Sequence, residues 1–86
     1  MPRALSIQRS IIPAPERAKY LERLRSRKEY YARANCKFWV FEEIALAGAF
    51  IEFTEASDPA TLSSAHASAP ESVLDPTRIY TEVELS

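Results

Sequence analysis

His66, the only histidine of the 86-residue chain, is the side chain best suited to acid–base chemistry. An imidazole titrates near neutrality, so it could act as a general base or donate a hydrogen bond to a substrate oxygen. Asp58 and Pro59 form a helix start, since the carboxylate can accept from first-turn N–H groups and proline suits the first helical position. The helix predicted over 60–68 places His66 beside Leu62 on its inner side. A packed histidine with no chemical role is the alternative interpretation.

Arg27 is the second candidate. Good helix formers predict a helix over 16–34. At about 100° per residue, Arg27 falls inside the apolar stripe of this helix, between Leu24 and Tyr31. The side chain could snorkel, with its stem buried and its charge in water. Alternatively, it points its guanidinium into the interior, where an anion or the carboxylate of Glu52 could receive it.

Three further residues are predicted to line a substrate pocket with Arg27, namely Tyr31, Trp39 and Glu52. Trp39 could equally belong to the core or to an interface. One imidazole and scattered carboxylates lack the spacing of metal ligands, so we predict no metal site. The single cysteine excludes an intrachain disulfide, and no glycine-rich phosphate loop or nucleophile elbow is present.

Composition is that of one small globular domain over residues 1–86, with 47% hydrophobic and 10% aromatic residues. No apolar run approaches the roughly 20 residues that span a bilayer, so we expect no membrane segment. The absence of a signal-peptide pattern and the single cysteine favour the cytoplasm.

Charge is unevenly distributed along the chain. Residues 1–37 carry a net charge of +7, and residues 38–86 carry −8. Such blocks can mark an anionic partner. A solvated basic helix face beside an acidic sheet edge explains them equally, and the sequence leaves both interpretations open.

The hydrophobic periodicity predicts the element order β-α-β-β-α-β. The predicted ranges are strands over 5–11, 37–43, 49–55 and 77–85 and helices over 16–34 and 60–68. This order indicates a ferredoxin-like α+β fold, an antiparallel four-stranded sheet with two helices on one face. The strand over 37–43 is apolar on both sides, which predicts that a second subunit's sheet covers one of them. We therefore expect a homodimer, which would also help a small core.

The stretch from Phe50 to Ala56, the corner at Asp58 and the sequence Ala65-His66-Ala67-Ser68 resemble the antibiotic biosynthesis monooxygenase-like family of the dimeric α+β barrel superfamily. The resemblance implies a dimeric α+β barrel with a cavity between sheet and helices in each subunit. It also implies a cofactor-independent monooxygenase or isomerase acting on a small aromatic or polyketide-like molecule.

Two functions known from proteins with a similar element order, haem degradation and RNA recognition, are not predicted for this chain. Haem-degrading relatives use an asparagine on the first strand, where this chain has Gln8, and a tryptophan on the third strand, where it has phenylalanines, so no cofactor is predicted. RNA-recognition modules share the element order, and Gly48 to Phe53 resembles part of their signature. The first strand has no stacking aromatic and the sheet half is acidic, so no nucleic acid is expected.

Two hypotheses follow for the function. In the first, an enzyme uses His66 for proton transfer and Arg27 to contact an anionic or enolate oxygen. In the second, the chain is a non-enzymatic ligand-binding or accessory protein on the same scaffold, since fold does not fix function. An enclosed apolar cavity would favour the enzyme, and an interior filled by side chains would favour the second hypothesis.

Overall fold

The computed structural model describes residues 2–70 and 78–85. Its elements are β1 (Ala4–Ile11), α1 (Arg17–Arg33), β2 (Lys37–Glu42), β3 (Ala49–Ala56), α2 (Pro59–Ala67) and β4 (Tyr80–Thr81). The four strands form one sheet in the order β2-β3-β1-β4, and each neighbouring pair is antiparallel. The predicted α+β class is confirmed, and the arrangement is compatible with a ferredoxin-like fold.

Helix α1 follows a 3-10 turn at Ala14–Glu16, where proline needs no N–H partner. It ends where Asn35 adopts a left-handed conformation with φ of 62°. Its buried residues are Tyr20, Leu24 and Tyr31, which recur at helical spacing and face the sheet.

The hairpin between β2 and β3 closes at Gly48, which has φ of +90°. Its N–H donates to Glu42 Oε2 at 2.9 Å, and its carbonyl accepts from the Ile12 N–H at 2.8 Å. A Cβ at this position would lie 2.5 Å from the Ile12 carbonyl oxygen. Both the backbone conformation and the close approach to Ile12 therefore require glycine.

Alternation along the strands gives the sheet two different faces. The face toward α1 and α2 carries the buried side chains, among them Ser6, Phe38, Phe50 and Glu52. No described element covers the other side, which we call the open face. Its apolar side chains are Leu5, Ile7, Ile11, Trp39, Phe41, Ile51 and Phe53. The strand β2 is thus apolar on both sides, but only one of them is packed within the chain.

Strand β4 is shorter than the predicted range of 77–85. It pairs with β1 only at Tyr80 and Thr81, although the Glu82 N–H still donates to the Arg3 carbonyl at 2.8 Å. Residues 82–85 are exposed beyond the ladder, and residue 77 lies outside the described residues.

Candidate functional site

Helix α2 presents His66 to the sheet, on the side predicted from its sequence. Asp58 caps the helix, since its Oδ1 accepts from the Thr61 N–H at 2.7 Å and its Oδ2 from the Thr61 hydroxyl at 3.0 Å. Leu62 and Ala65 are buried on the same side as His66, which is only 6% exposed. The cap fixes where the helix begins, and this in turn fixes the direction of the imidazole.

Both ring nitrogens of His66 have hydroxyl partners. Nδ1 lies 2.8 Å from the Tyr31 hydroxyl, and Nε2 lies 2.8 Å from the Ser6 hydroxyl. A neutral imidazole donates through one nitrogen and accepts through the other, and each hydroxyl can fill either role. The imidazole is therefore hydrogen-bonded by both α1 and β1, and each ring nitrogen already has a partner within the chain.

Burial lowers the pKa of His66, and the positive charge of Arg27 lowers it further. The imidazole is therefore neutral at pH 7. Burial raises the pKa of the Tyr31 phenol, against which the Arg27 guanidinium acts in the opposite direction. The two hydrogen-bonded side chains thus stay neutral together, and the permanent charge beside them belongs to Arg27.

Arg27 is held inside the protein by Glu52. Its Nη1 lies 2.9 Å from Glu52 Oε1, and the side chains are only 11% and 2% exposed. The guanidinium also lies over the Phe38 ring, 5.7 Å from its centroid. The second of the two sequence-based interpretations is therefore the one observed, because the arginine enters the interior and a carboxylate receives it.

Glu52 has a second partner on α1. The Tyr20 hydroxyl donates to Oε2 at 2.8 Å, and burial together with this carboxylate raises the pKa of the phenol. Oε1 accepts no hydrogen bond among the described residues, although Arg27 Nη1 is close to it. The contact is therefore a charge–charge interaction without an aligned N–H, and this oxygen retains a free lone pair inside the protein.

These side chains form what we call the interior polar cluster, composed of Ser6, Tyr20, Arg27, Tyr31, Glu52 and His66. Four surface clefts with volumes from 340 to 630 Å³ are lined by described residues, and none of the six contributes to any of them. The side chains of this cluster bond to one another between the sheet and the helices.

Trp39 does not belong to this cluster, which corrects the predicted pocket lining. It pairs in register with Phe53 and stacks on that ring at 6.0 Å between centroids, on the open face. Its neighbour Val40 pairs with Glu52, so the side-chain alternation turns Trp39 away from His66.

Two members of the cluster, Ser6 and Tyr20, were not predicted as site residues. Ser6 lies between Leu5 and Ile7, so strand alternation alone places this small polar residue on the face opposite the leucine. A hydroxyl on a buried face needs a partner, which is the signal that could have identified it. Tyr20 is buried on the same side of α1 as Leu24 and Tyr31, and its hydroxyl reaches Glu52.

Within residues 2–70 and 78–85, no three histidine, cysteine, aspartate or glutamate side chains group closely enough to hold a metal ion. No helix in the same part of the chain is long and apolar enough to cross a membrane. No protein-family model matches the chain, and no match was found among curated proteins or solved structures.

Proposed function

We propose that this chain is a small homodimeric accessory or ligand-binding protein without catalytic activity. The observation that carries the proposal is the hydrogen bonding of His66 at both ring nitrogens inside the protein. A general base must come within hydrogen-bond reach of the substrate proton. Here His66 is only 6% exposed, and the hydroxyls of Ser6 and Tyr31 already occupy the contact positions of both nitrogens.

The charge of Arg27 supports the same interpretation. An arginine that stabilises an enolate or carboxylate of a substrate must have its guanidinium available to that anion. Here Glu52 already neutralises it, and Phe38 covers it. Admitting a substrate anion would require breaking a buried ion pair, which typically costs several kcal/mol.

The homodimer is supported by the open face. Large contiguous apolar surfaces on small proteins usually mark interaction sites. Leu5, Ile7, Trp39, Phe41 and Phe53 lie on this side of the sheet, and no described element packs on them. A second copy that presents the same face would bury both surfaces at once, as symmetric dimers do.

Substitution of Ile7 tests the dimer. Ile7 lies opposite Phe53 on the open face, and Ile7→Asp would place a carboxylate at the centre of the proposed interface. We expect this variant to sediment as a monomer with its circular dichroism unchanged. Ile44→Asp, which alters an exposed isoleucine in the hairpin loop, is the matched control and should leave the dimer intact. Equal masses for the two variants would contradict the interface.

A cofactor-independent oxygenase or isomerase is the second candidate, and the free lone pair on Glu52 Oε1 is the observation that favours it. A buried acceptor without a donor is unusual and often reflects a functional requirement. Oxygen uptake with electron-rich polycyclic phenols tests the oxygenase. Uptake abolished by Tyr31→Phe, which removes the hydroxyl bonded to His66 and retains the ring, would support the enzyme and overturn the non-catalytic proposal. No uptake by the wild-type protein is the expected result.

A further inference from the structure

We infer that residues 83–85 of one copy bind in a groove between α1 and β2 of a second copy. The inference rests on the proposed homodimer and assigns it a second contact, at the edge strand β2, where Trp39 of the open face also lines the groove.

The receiving surface, which we call the α1–β2 groove, combines apolar walls with positive charge. It has a volume of 340 Å³. Its lining includes the apolar side chains Leu21, Leu24, Phe38 and Val40 and the cations Arg25 and Lys28. No described carboxylate forms an ion pair with either cation. A ligand that carries both apolar and acidic groups therefore matches this groove.

The groove borders an unpaired strand edge. Strand β2 is an edge strand of the sheet, and β3 is its only neighbour among the described strands. The N–H and C=O groups on its outer edge are therefore available to an added strand. Peptides that bind in this way gain main-chain hydrogen bonds from the edge and side-chain specificity from the adjacent pockets.

The segment over 83–85 has the matching chemistry. It reads Val83-Glu84-Leu85, an acid between two apolar residues. Val83 is 73% exposed and Leu85 is 94% exposed, so both apolar side chains lie in solvent. No described cation pairs with Glu84. The groove thus offers cations and apolar walls, and the segment offers a carboxylate between two apolar side chains. These complementary groups do not meet within one chain.

Residues 83–85 cannot reach the α1–β2 groove of their own chain. β4 and β2 are the two outer strands, with β1 and β3 between them, so they lie about 14 Å apart across the sheet. Three residues extend at most about 10 Å, and the path would have to pass around the sheet. A second copy can bring the segment closer, because stacked sheets lie about 10 Å apart. A two-fold axis parallel to the strands stacks two open faces so that β4 of each copy lies over β2 of the other, and both segments then bind reciprocally.

Disulfide cross-linking tests the contact. Cys36, the only cysteine, is buried and is first replaced in a Cys36→Ser background. One protein then carries Leu85→Cys, and a second, tagged protein carries Leu21→Cys on the groove. We expect oxidation of the mixture to give the covalent heterodimer, because a disulfide forms only when the two Cα atoms come within about 7 Å. Leu46→Cys in the hairpin loop replaces Leu21→Cys in the control mixture and should not cross-link to Leu85→Cys.

Deletion of residues 83–85 separates this inference from the dimer itself. It should raise the dimer dissociation constant at least about tenfold, since Val83 and Leu85 of both copies leave the interface. Lys28→Glu should weaken the dimer, and Glu84→Lys added to the same chain should restore it. A wild-type dimer that none of these changes weakens, with no Leu85–Leu21 cross-link, would overturn the inference and leave the proposed homodimer standing. A wild-type monomer would overturn both.

Discussion

Arg27→Met is the substitution that examines the interior polar cluster most directly. Methionine keeps much of the apolar stem but removes the charge that Glu52 receives at 2.9 Å. The Glu52 carboxylate, with its side chain only 2% exposed, would then have the Tyr20 hydroxyl as its one donor. Breaking a buried pair by removing one partner costs about 3–5 kcal/mol.

The expected loss is large for a chain of this size. Domains have stabilities of about 0.05–0.15 kcal/mol per residue, so 86 residues correspond to roughly 4–13 kcal/mol. The measurement is the free energy of unfolding in urea, at one protein concentration for all variants because dimerisation contributes by mass action. Arg27→Met should lower it by about 3–5 kcal/mol.

Two variants make the measurement specific. Lys19→Met removes an exposed cation from the same helix, outside the α1–β2 groove, and should change the stability by less than about 0.5 kcal/mol. Combining Arg27→Met with Glu52→Gln leaves a neutral acceptor for Tyr20 and should recover most of the loss. If Arg27→Met and Lys19→Met had the same effect, the reasoning about the buried pair would be refuted.

Three further predictions concern α2 and the hairpin. Because the pKa of His66 is below 6.5 in the folded protein, the unfolded chain binds its proton first as the pH falls. Stability should therefore decrease below about pH 6.5 by up to ~1.4 kcal/mol per pH unit, and urea titrations of His66→Gln should lack this slope. Gly48→Ala should cost at least about 1–3 kcal/mol in thermal unfolding, from its positive φ and the clash with Ile12, and a neutral effect would contradict the turn geometry. Asp58→Ala should cost about 1 kcal/mol through loss of the helix cap, whereas Ser63→Ala on the exposed side of α2 should cost much less, and equal losses would count against the cap.

The sequence predicted the packed elements well because their signals are local. The alternation in β1 and the stripe of α1 depend on side chains within a few residues of each other. The same holds for Asp58 at the start of α2, where cap and proline are adjacent. The length of β4 depends instead on its partner β1, since only Tyr80 and Thr81 pair with that strand. No pattern within residues 77–85 contains that information.

The site was predicted only in part, because its contacts join residues from different elements. Helical spacing placed His66 and Arg27 on inner faces, but it left two interpretations of the arginine open. The choice between them depended on Glu52, 25 residues away in sequence, facing the same space from β3. Trp39 was misplaced because a strand apolar on both sides gives no indication of which side packs on the helices. The hairpin register decides this, and it pairs Trp39 with Phe53.

The mass of the wild-type protein in solution tests the central claim most directly. Sedimentation equilibrium at micromolar concentration should give twice the 9.7 kDa chain mass, as the proposed stacking of two open faces requires. Iodide should quench the fluorescence of Trp39, the only tryptophan, less in the wild-type protein than in the Ile7→Asp monomer. A wild-type mass of 9.7 kDa with Trp39 equally quenched in both proteins would contradict the account.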